Sequence, residues 1–409
     1  MSEPAARLAA PPVPRAALAV ELAVALTVAV ATVWVVARLT PAIDATGWGF
    51  DEKVYLNAAV DGPLATKPRT APFLYRPGTT LLVGAVARAL HLSPERAFAA
   101  VAWVALPLFL FLIYVLARRY TSSRLRALLA MLLVGVSFSA TKRLVFNPIS
   151  PDALGLLLVA LATLLLVSGR TTALLVVTAV GVACREFVVI PAVVLALGGA
   201  GRPAQPPGRL ARFAPLLAGL AVGVLIRVVI PVAASHQMID PAVPASWRQV
   251  AAALEPGWVT NVIGASLTFL LPLACVWRRR DDGAEGLPAW APAYGVVLFV
   301  VMMFAGMNFI WFAAYYAPLL AVAYVLKSRD EPVWLQLVLL VLMAGLGRLV
   351  EEVPHPLRQS SEYVGFTAFF GHRIDAYTGR RAVQLLAVFV GYRGLRAAWQ
   401  ELAARRRPT

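Results

Sequence analysis

Cysteine is almost missing from this 409-residue chain. Only Cys184 and Cys275 occur, each inside or at the end of an apolar run, with no CxxC or Cys/His spacing around them. That excludes a disulfide framework and a zinc site. The 4 histidines lack metal-ligand spacing, so no histidine-built centre is expected. No Walker-type Gly-rich loop, GxSxG elbow or HExxH motif occurs, which leaves ATP-driven transport and zinc proteolysis without support. Charge is scarce as well: 14% of residues are charged against 60% hydrophobic, more apolar side chain than a soluble core of this length uses. No low-complexity tract and no internal repeat is found.

What fills the chain is apolar helix. Runs at roughly 17–38, 97–117, 127–141, 152–168, 171–184, 187–199, 213–234, 260–277, 289–305, 309–326, 333–349 and 381–398 predict about twelve spans, with ten to thirteen as the range. The expected fold is all-α, a polytopic transmembrane helical bundle forming one domain over 1–409, with no soluble domain after the last span. The first run follows Arg7 and Arg15 like a signal peptide but is too long for a cleaved one, and reads as a retained first span. The runs flanking Cys184-Arg185-Glu186-Phe187 read either as two spans or as one helix bent at the charged pair.

The net charge of +16 would suggest nucleic acid in a soluble protein. Here most Arg falls in short inter-helix loops, where it fixes orientation, so no nucleic-acid partner is expected. With the N-terminus in the cytoplasm, Arg118, Arg119, Arg124 and Arg126, then Arg170, Arg202, Arg209 and Arg212, Arg278 to Arg280, Lys327 and Arg329 share the inner face. The longer segments 39–96, 235–259 and 350–380 then lie outside. Within the first of them, Pro77 to Leu92 is apolar but short and carries Arg88 and His91, which fits a helix lying in the membrane interface.

The outer segments hold the residues able to do chemistry. Trp48-Gly49-Phe50-Asp51-Glu52-Lys53-Val54-Tyr55-Leu56 puts two adjacent acids just beyond the first span, and Tyr75-Arg76-Pro77-Gly78 follows about twenty residues later. A carboxylate at the membrane surface can take the proton of an acceptor hydroxyl, and a nearby Arg can hold a donor phosphate. The plainer alternative is a solvated helix start and a headgroup contact. Lys142-Arg143 precedes Asn147-Pro148-Ile149-Ser150-Pro151-Asp152, where Asp152 also suits an ordinary helix N-terminus. Arg185 and Glu186 interrupt apolar sequence; ionised groups there cost on the order of 3 kcal/mol each at a helix centre, so they face a cavity or each other. Arg227 and Arg348 belong to the same class. Further out, His236, Asp240, Trp247, Arg248 and Glu255, and a second set from Glu351 to Asp375, could line an acceptor site, while Trp and Tyr there equally serve as interface anchors.

The first-loop pattern resembles the GT-C superfamily of membrane glycosyltransferases, which includes protein mannosyltransferases and aminoarabinose transferases. There an acidic residue or Asp-Glu pair follows the first helix and a Pro-rich stretch leads into a juxtamembrane helix; Phe50-Asp51-Glu52 with Tyr55, then Arg76-Pro77, match both parts. The resemblance covers roughly the first 200 residues. Gly78 departs from it, standing where Pro or Leu is common. It implies a bacterial inner-membrane enzyme, active on the outer side, that moves a sugar with inversion from a polyprenyl-phosphate donor to a glycan, lipid or protein acceptor. Asp51 would be the general base, Glu52 its support, and Tyr55, Arg76, Lys142, Arg143, Asp152, Arg185 and Glu186 would bind substrate. A divalent cation on Asp51 or Glu52 is compatible with that chemistry. Two other readings stay open: a secondary transporter or flippase for a lipid or anionic metabolite, and a non-catalytic scaffold of the same fold.

Overall fold

Helix boundaries in this chain follow local chemistry. Ser93 accepts a hydrogen bond from the Arg96 N–H at 3.4 Å and Pro94 opens the first turn, starting α4 (Pro94–Arg118). Ser123 does the same for α5 (Arg124–Gly135), accepting from Arg126 at 3.3 Å. These side chains satisfy N–H groups that have no partner within their helices. The computed structural model describes residues 15–39, 50–65, 70–71, 75–198, 208–230, 234–235, 256–277, 286–304, 312–349 and 376–405.

Before α4 come α1 (Arg15–Leu39), α2 (Phe50–Asp61) and α3 (Pro77–Ala89). After α5, a π-helical turn (Phe138–Lys142) and α6 (Arg143–Phe146) lead to α7 (Asp152–Val167) and α8 (Thr171–Cys184). Arg185 is extended, a 3₁₀ turn covers Glu186–Val189, and α9 (Ile190–Ala196) follows. The charged pair therefore breaks the helix outright. The remaining elements are α10 (Arg209–Val229), α11 (Pro256–Val276), α12 (Trp290–Phe304), a 3₁₀ turn (Ala313–Tyr316), α13 (Ala317–Lys327), α14 (Val333–Leu349) and α15 (Ala376–Arg405). The extended structure among the described residues is one parallel pairing of Thr70–Ala71 with Ala234–Ser235.

Among the described residues, three helices are long and apolar enough to cross a membrane: Arg15–Leu39, Pro94–Arg118 and Leu210–Val229. A fourth results if Arg124–Gly135 and Phe138–Phe146, bent by 67° at their junction, count as one span. Seven other runs form apolar helices of 10–17 residues among the described residues, and the run at 381–398 falls within the 30-residue α15, which is not counted with them, so the described helices give fewer full-length spans than the twelve read from the sequence. The difference is geometric. At about 1.5 Å rise per residue, the 16 residues of α7 extend roughly 24 Å, short of a core about 30 Å thick. The run read from the sequence, 152–168, is as short, and the Ser168-Gly169 turn ends run and helix together. The apolar helices as a set are consistent with a multi-pass membrane protein.

Close approach of backbones builds the bundle, as small residues permit in lipid. A Cβ on Gly135 would come within 2.7 Å of Thr32 Cγ2, and one on Gly84 within 2.3 Å of the Ala59 carbonyl oxygen. Gly84 thus lets α3 lie against α2. The segment Pro77 to Leu92 is helical over Pro77–Ala89, the 13-residue α3, which packs on α2, α4 and α8.

Two ionic clusters hold the end of the bundle opposite α2 and α3. Glu21 of α1 accepts from Tyr114 Oη at 2.7 Å, Arg118 Nε at 2.5 Å and Arg124 Nε at 2.7 Å, tying α1, α4 and α5. Arg396 of α15 pairs with buried Glu331 at 2.6 Å and donates to the Cys275 and Val276 carbonyls at 3.3 Å. Arg393 donates to the Trp277 carbonyl at 2.7 Å. Together they satisfy carbonyls at the C-terminal end of α11 that have no partner within that helix.

Candidate functional site

The opposite end carries the chemistry. Chain direction alone brings four segments there: the first loop, the turn from α6 to α7, the break after α8 and the 3₁₀ turn before α13. Asp152 stands at the start of α7 because the Pro148–Pro151 stretch cannot continue α6, and the Asp152 N–H donates to Ser150 Oγ at 3.2 Å. Asp152 is 4% exposed and its carboxylate is fully engaged. Arg143 Nη2 lies 2.6 Å from Oδ2 and Arg185 Nε 2.8 Å from Oδ1. Ser150 Oγ donates to Oδ2 at 2.8 Å and Tyr315 Oη to Oδ1 at 3.2 Å.

A second buried guanidinium sits beside this one. Arg76 forks onto Glu186, Nε to Oε2 at 3.0 Å and Nη2 to Oε1 at 2.6 Å, and donates through Nη1 to the Tyr55 hydroxyl. Arg185 Nη1 reaches Glu186 Oε1 at 3.7 Å, which joins the two groups. The planar fork makes a paired contact that an ammonium would not. Three buried guanidiniums, of Arg76, Arg143 and Arg185, thus face two carboxylates, those of Asp152 and Glu186. Burial pushes the Tyr55 phenol up to about 12, the nearby Arg76 charge pulling the other way, so it remains protonated at neutral pH. The cluster is closed at Asp152 and open at Glu186, whose side chain is 46% exposed.

Gly78 explains how Arg76 gets there. A Cβ on it would lie 2.7 Å from Cys184 Sγ and 3.0 Å from the Ala183 carbonyl carbon. Thr79 Oγ1 donates to the Cys184 carbonyl at 3.2 Å, satisfying an acceptor at the end of α8. The first turn of α3 therefore rests on the last turn of α8, one residue before Arg185.

Aromatic rings wall the inner side. Phe187 and Tyr315 stack with centroids 4.4 Å apart, and the Arg185 guanidinium carbon is 5.4 Å from both the Phe187 and Phe312 centroids. A Cβ on Gly155, one turn into α7, would be 2.6 Å from Tyr315 Oη and 2.8 Å from Arg185 Cγ; glycine there leaves the lane in which Arg185 reaches Asp152. Beside the α6–α7 turn lies a small apolar cleft lined by Val33, Ala102, Trp103, Leu144, Val145 and Pro148, among others.

Of the residues singled out in the sequence, Tyr55, Arg76, Arg143, Asp152, Arg185 and Glu186 meet in this one network. Glu52 stands at its margin, its Oε1 accepting from Asn147 Nδ2 at 2.5 Å. The Asn147 Oδ1 accepts the Ile149 N–H at 3.2 Å, which orients the amide. Among the described residues Glu52 has no guanidinium partner. Lys142 Nζ lies 5.9 Å from the Phe138 centroid, on the turn before Arg143. The Asp51 and Arg348 side chains, His236, Asp240, Trp247, Arg248, Glu255 and the Glu351 to Asp375 set lie outside the described residues. Sequence reading missed Tyr315 and Phe312; paired hydroxyls at Tyr315-Tyr316 inside an apolar run were the available signal.

Among the described residues no three His, Cys, Asp or Glu side chains converge on a cation position. Glu52 brings a single carboxylate, engaged by Asn147, and the Asp51 side chain lies outside the described residues. Compared with family models, with curated proteins and with solved structures, the chain matches none of them.

Proposed function

We propose that the chain is a polytopic membrane glycosyltransferase that moves a sugar from a polyprenyl-phosphate donor to an acceptor outside the bacterial cytoplasmic membrane. On this reading the shorter apolar helices cross as well, giving about twelve spans with α2, α3 and the arginine cluster on the outer side. The observation that carries the proposal is the arginine cluster. Three buried guanidiniums from separate segments converge at one end of the bundle, next to a surface-open carboxylate.

Guanidiniums held in place by Asp152 and Glu186 suit a phosphate leaving group, since donors fixed in advance stabilise charge that develops as the sugar–phosphate bond breaks. The transfer takes one general base, and Asp51 is assigned that role, with Glu52 beside it on α2. The acceptor hydroxyl loses its proton to Asp51 as its oxygen attacks the anomeric carbon from the face opposite the phosphate, inverting the configuration. Asp152 and Glu186 are less suited to be the base, because each is neutralised by Arg.

The broken α8–α9 helix with buried charges also resembles what a transport path uses, which keeps a transporter or flippase as the second reading. One assay separates the two. Membranes containing wild type or Asp51→Asn are given radiolabelled polyprenyl-phosphate sugars, and label is followed into lipid, glycan and protein. Transfer is expected in wild type and to fall about 100-fold or more in the variant at equal protein level. Unchanged transfer would move the base to Glu52, and absence of transfer from every donor would favour the transporter.

A further inference from the structure

The outer end of α10 holds a cation in an unusual place. Val224, Leu225 and Val228 are 62%, 59% and 73% exposed, the surface of a helix facing lipid. Arg227 is exposed at the edge of that face, in the last turn of the helix and next to buried Gly223. Among the described residues no carboxylate pairs with it. Its Nη1 donates to the Gly223 carbonyl at 3.0 Å, and its guanidinium carbon stands 4.9 Å from the Tyr75 ring centroid. The helix C-terminus and the ring both favour a cation there. At the last turn of the helix the long side chain reaches towards the membrane surface, where an outside anion is free to pair with it.

Tyr75 adjoins Arg76 in sequence, and the same ring packs with Val54 and Ala58 of α2 and Ile226 and Ile230 of α10. Tyr75 thus links Arg227 to the chain position next to Arg76. A phosphate on a membrane-anchored chain, arriving from the bilayer, meets Arg227 before it meets Arg76.

We infer that Arg227 and Tyr75 form a lipid-side docking site for the phosphate of the membrane-anchored substrate, which passes from there to the Arg76–Arg185 cluster. The inference rests on the lipid-phosphate reading above. It is tested by binding alone, so a failure of sugar transfer leaves the result interpretable.

Full-length protein is placed in phosphatidylcholine nanodiscs containing either polyprenyl monophosphate or phosphatidylglycerol, and lipid retained is read by native mass spectrometry. Arg227→Gln is expected to lower polyprenyl-phosphate retention about tenfold, Arg227→Lys to restore most of it, and phosphatidylglycerol retention to change little. Equal loss for both lipids would assign the contact to bulk headgroups and overturn the substrate assignment. No change for either would remove the site altogether. If the Gln variant fails to fold, the wild type carries the test: retention of polyprenyl phosphate well above that of phosphatidylglycerol is expected, and equal retention of the two overturns the assignment.

Discussion

Asp152→Asn is expected to destabilise the protein by about 3–5 kcal/mol, the scale for leaving a buried charge without its partner. The carboxylate is the acceptor for two buried guanidiniums at 2.6 and 2.8 Å, and also for Ser150 and Tyr315. An amide keeps the shape but presents one acceptor oxygen and an NH₂ group that points at a cation. Thermal unfolding of the purified protein in detergent should show a clear fall in Tm. Adding Arg143→Met to this variant should cost less than the two single changes predict, since it removes one of the stranded charges; couplings of about 0.5–3 kcal/mol are usual for such neighbours. Additive losses would mean that Arg143 and Asp152 do not depend on each other, contrary to the network described.

Arg76→Lys should separate fold from function. An ammonium carries the charge but not the fork that donates to both Glu186 oxygens and to Tyr55 at once, and Lys is not a conservative replacement at such a site. Because Glu186 is half-exposed, water can take over part of its hydrogen bonding, so insertion and Tm should change little. Transfer from a polyprenyl-phosphate sugar should fall on the order of 100-fold, the loss seen when one fixed donor to a developing anion is removed, and mainly in kcat. A variant with wild-type rates would place the phosphate away from Arg76.

Much of the site was legible because charge is rare in this chain. Arg76, Arg143, Asp152, Arg185 and Glu186 stand out against apolar sequence, and ionised groups in such surroundings seek one another. Which pairs form was not legible. Arg76 and Glu186 are 110 residues apart and Tyr315 and Asp152 163 apart, separations on which helical periodicity is silent. The choice of Arg185 for Asp152, with Arg76 taking Glu186, depends on glycines at 78 and 155 that let backbones and side chains pass closely. Gly78 looked like a departure from a family pattern, and its contact with Cys184 supplies a physical reason for it. Helix existence was readable from hydropathy, and at α7 and α8 so were the bounds, since the Ser150-Pro151 and Ser168-Gly169 turns end the apolar runs as they end the helices. The number of spans was not, because helices of 14 and 16 residues fall short of a hydrocarbon core about 30 Å thick.

The Glu21 cluster has a consequence for biosynthesis. Glu21 lies in the first helix to be made, whereas Tyr114, Arg118 and Arg124 follow 93, 97 and 103 residues later. At about 5–20 residues per second, α1 waits some 5–20 s for the groups that neutralise its carboxylate. During that interval α1 is best accommodated near the membrane surface or with its carboxylate protonated, and it seats fully only once the α4–α5 hairpin arrives. Nascent chains halted before Arg118 should therefore release α1 from the membrane more readily than chains halted after Arg124, as carbonate extraction would read. Synthesis order, as well as final contact energy, then decides when the first span becomes a permanent part of the bundle.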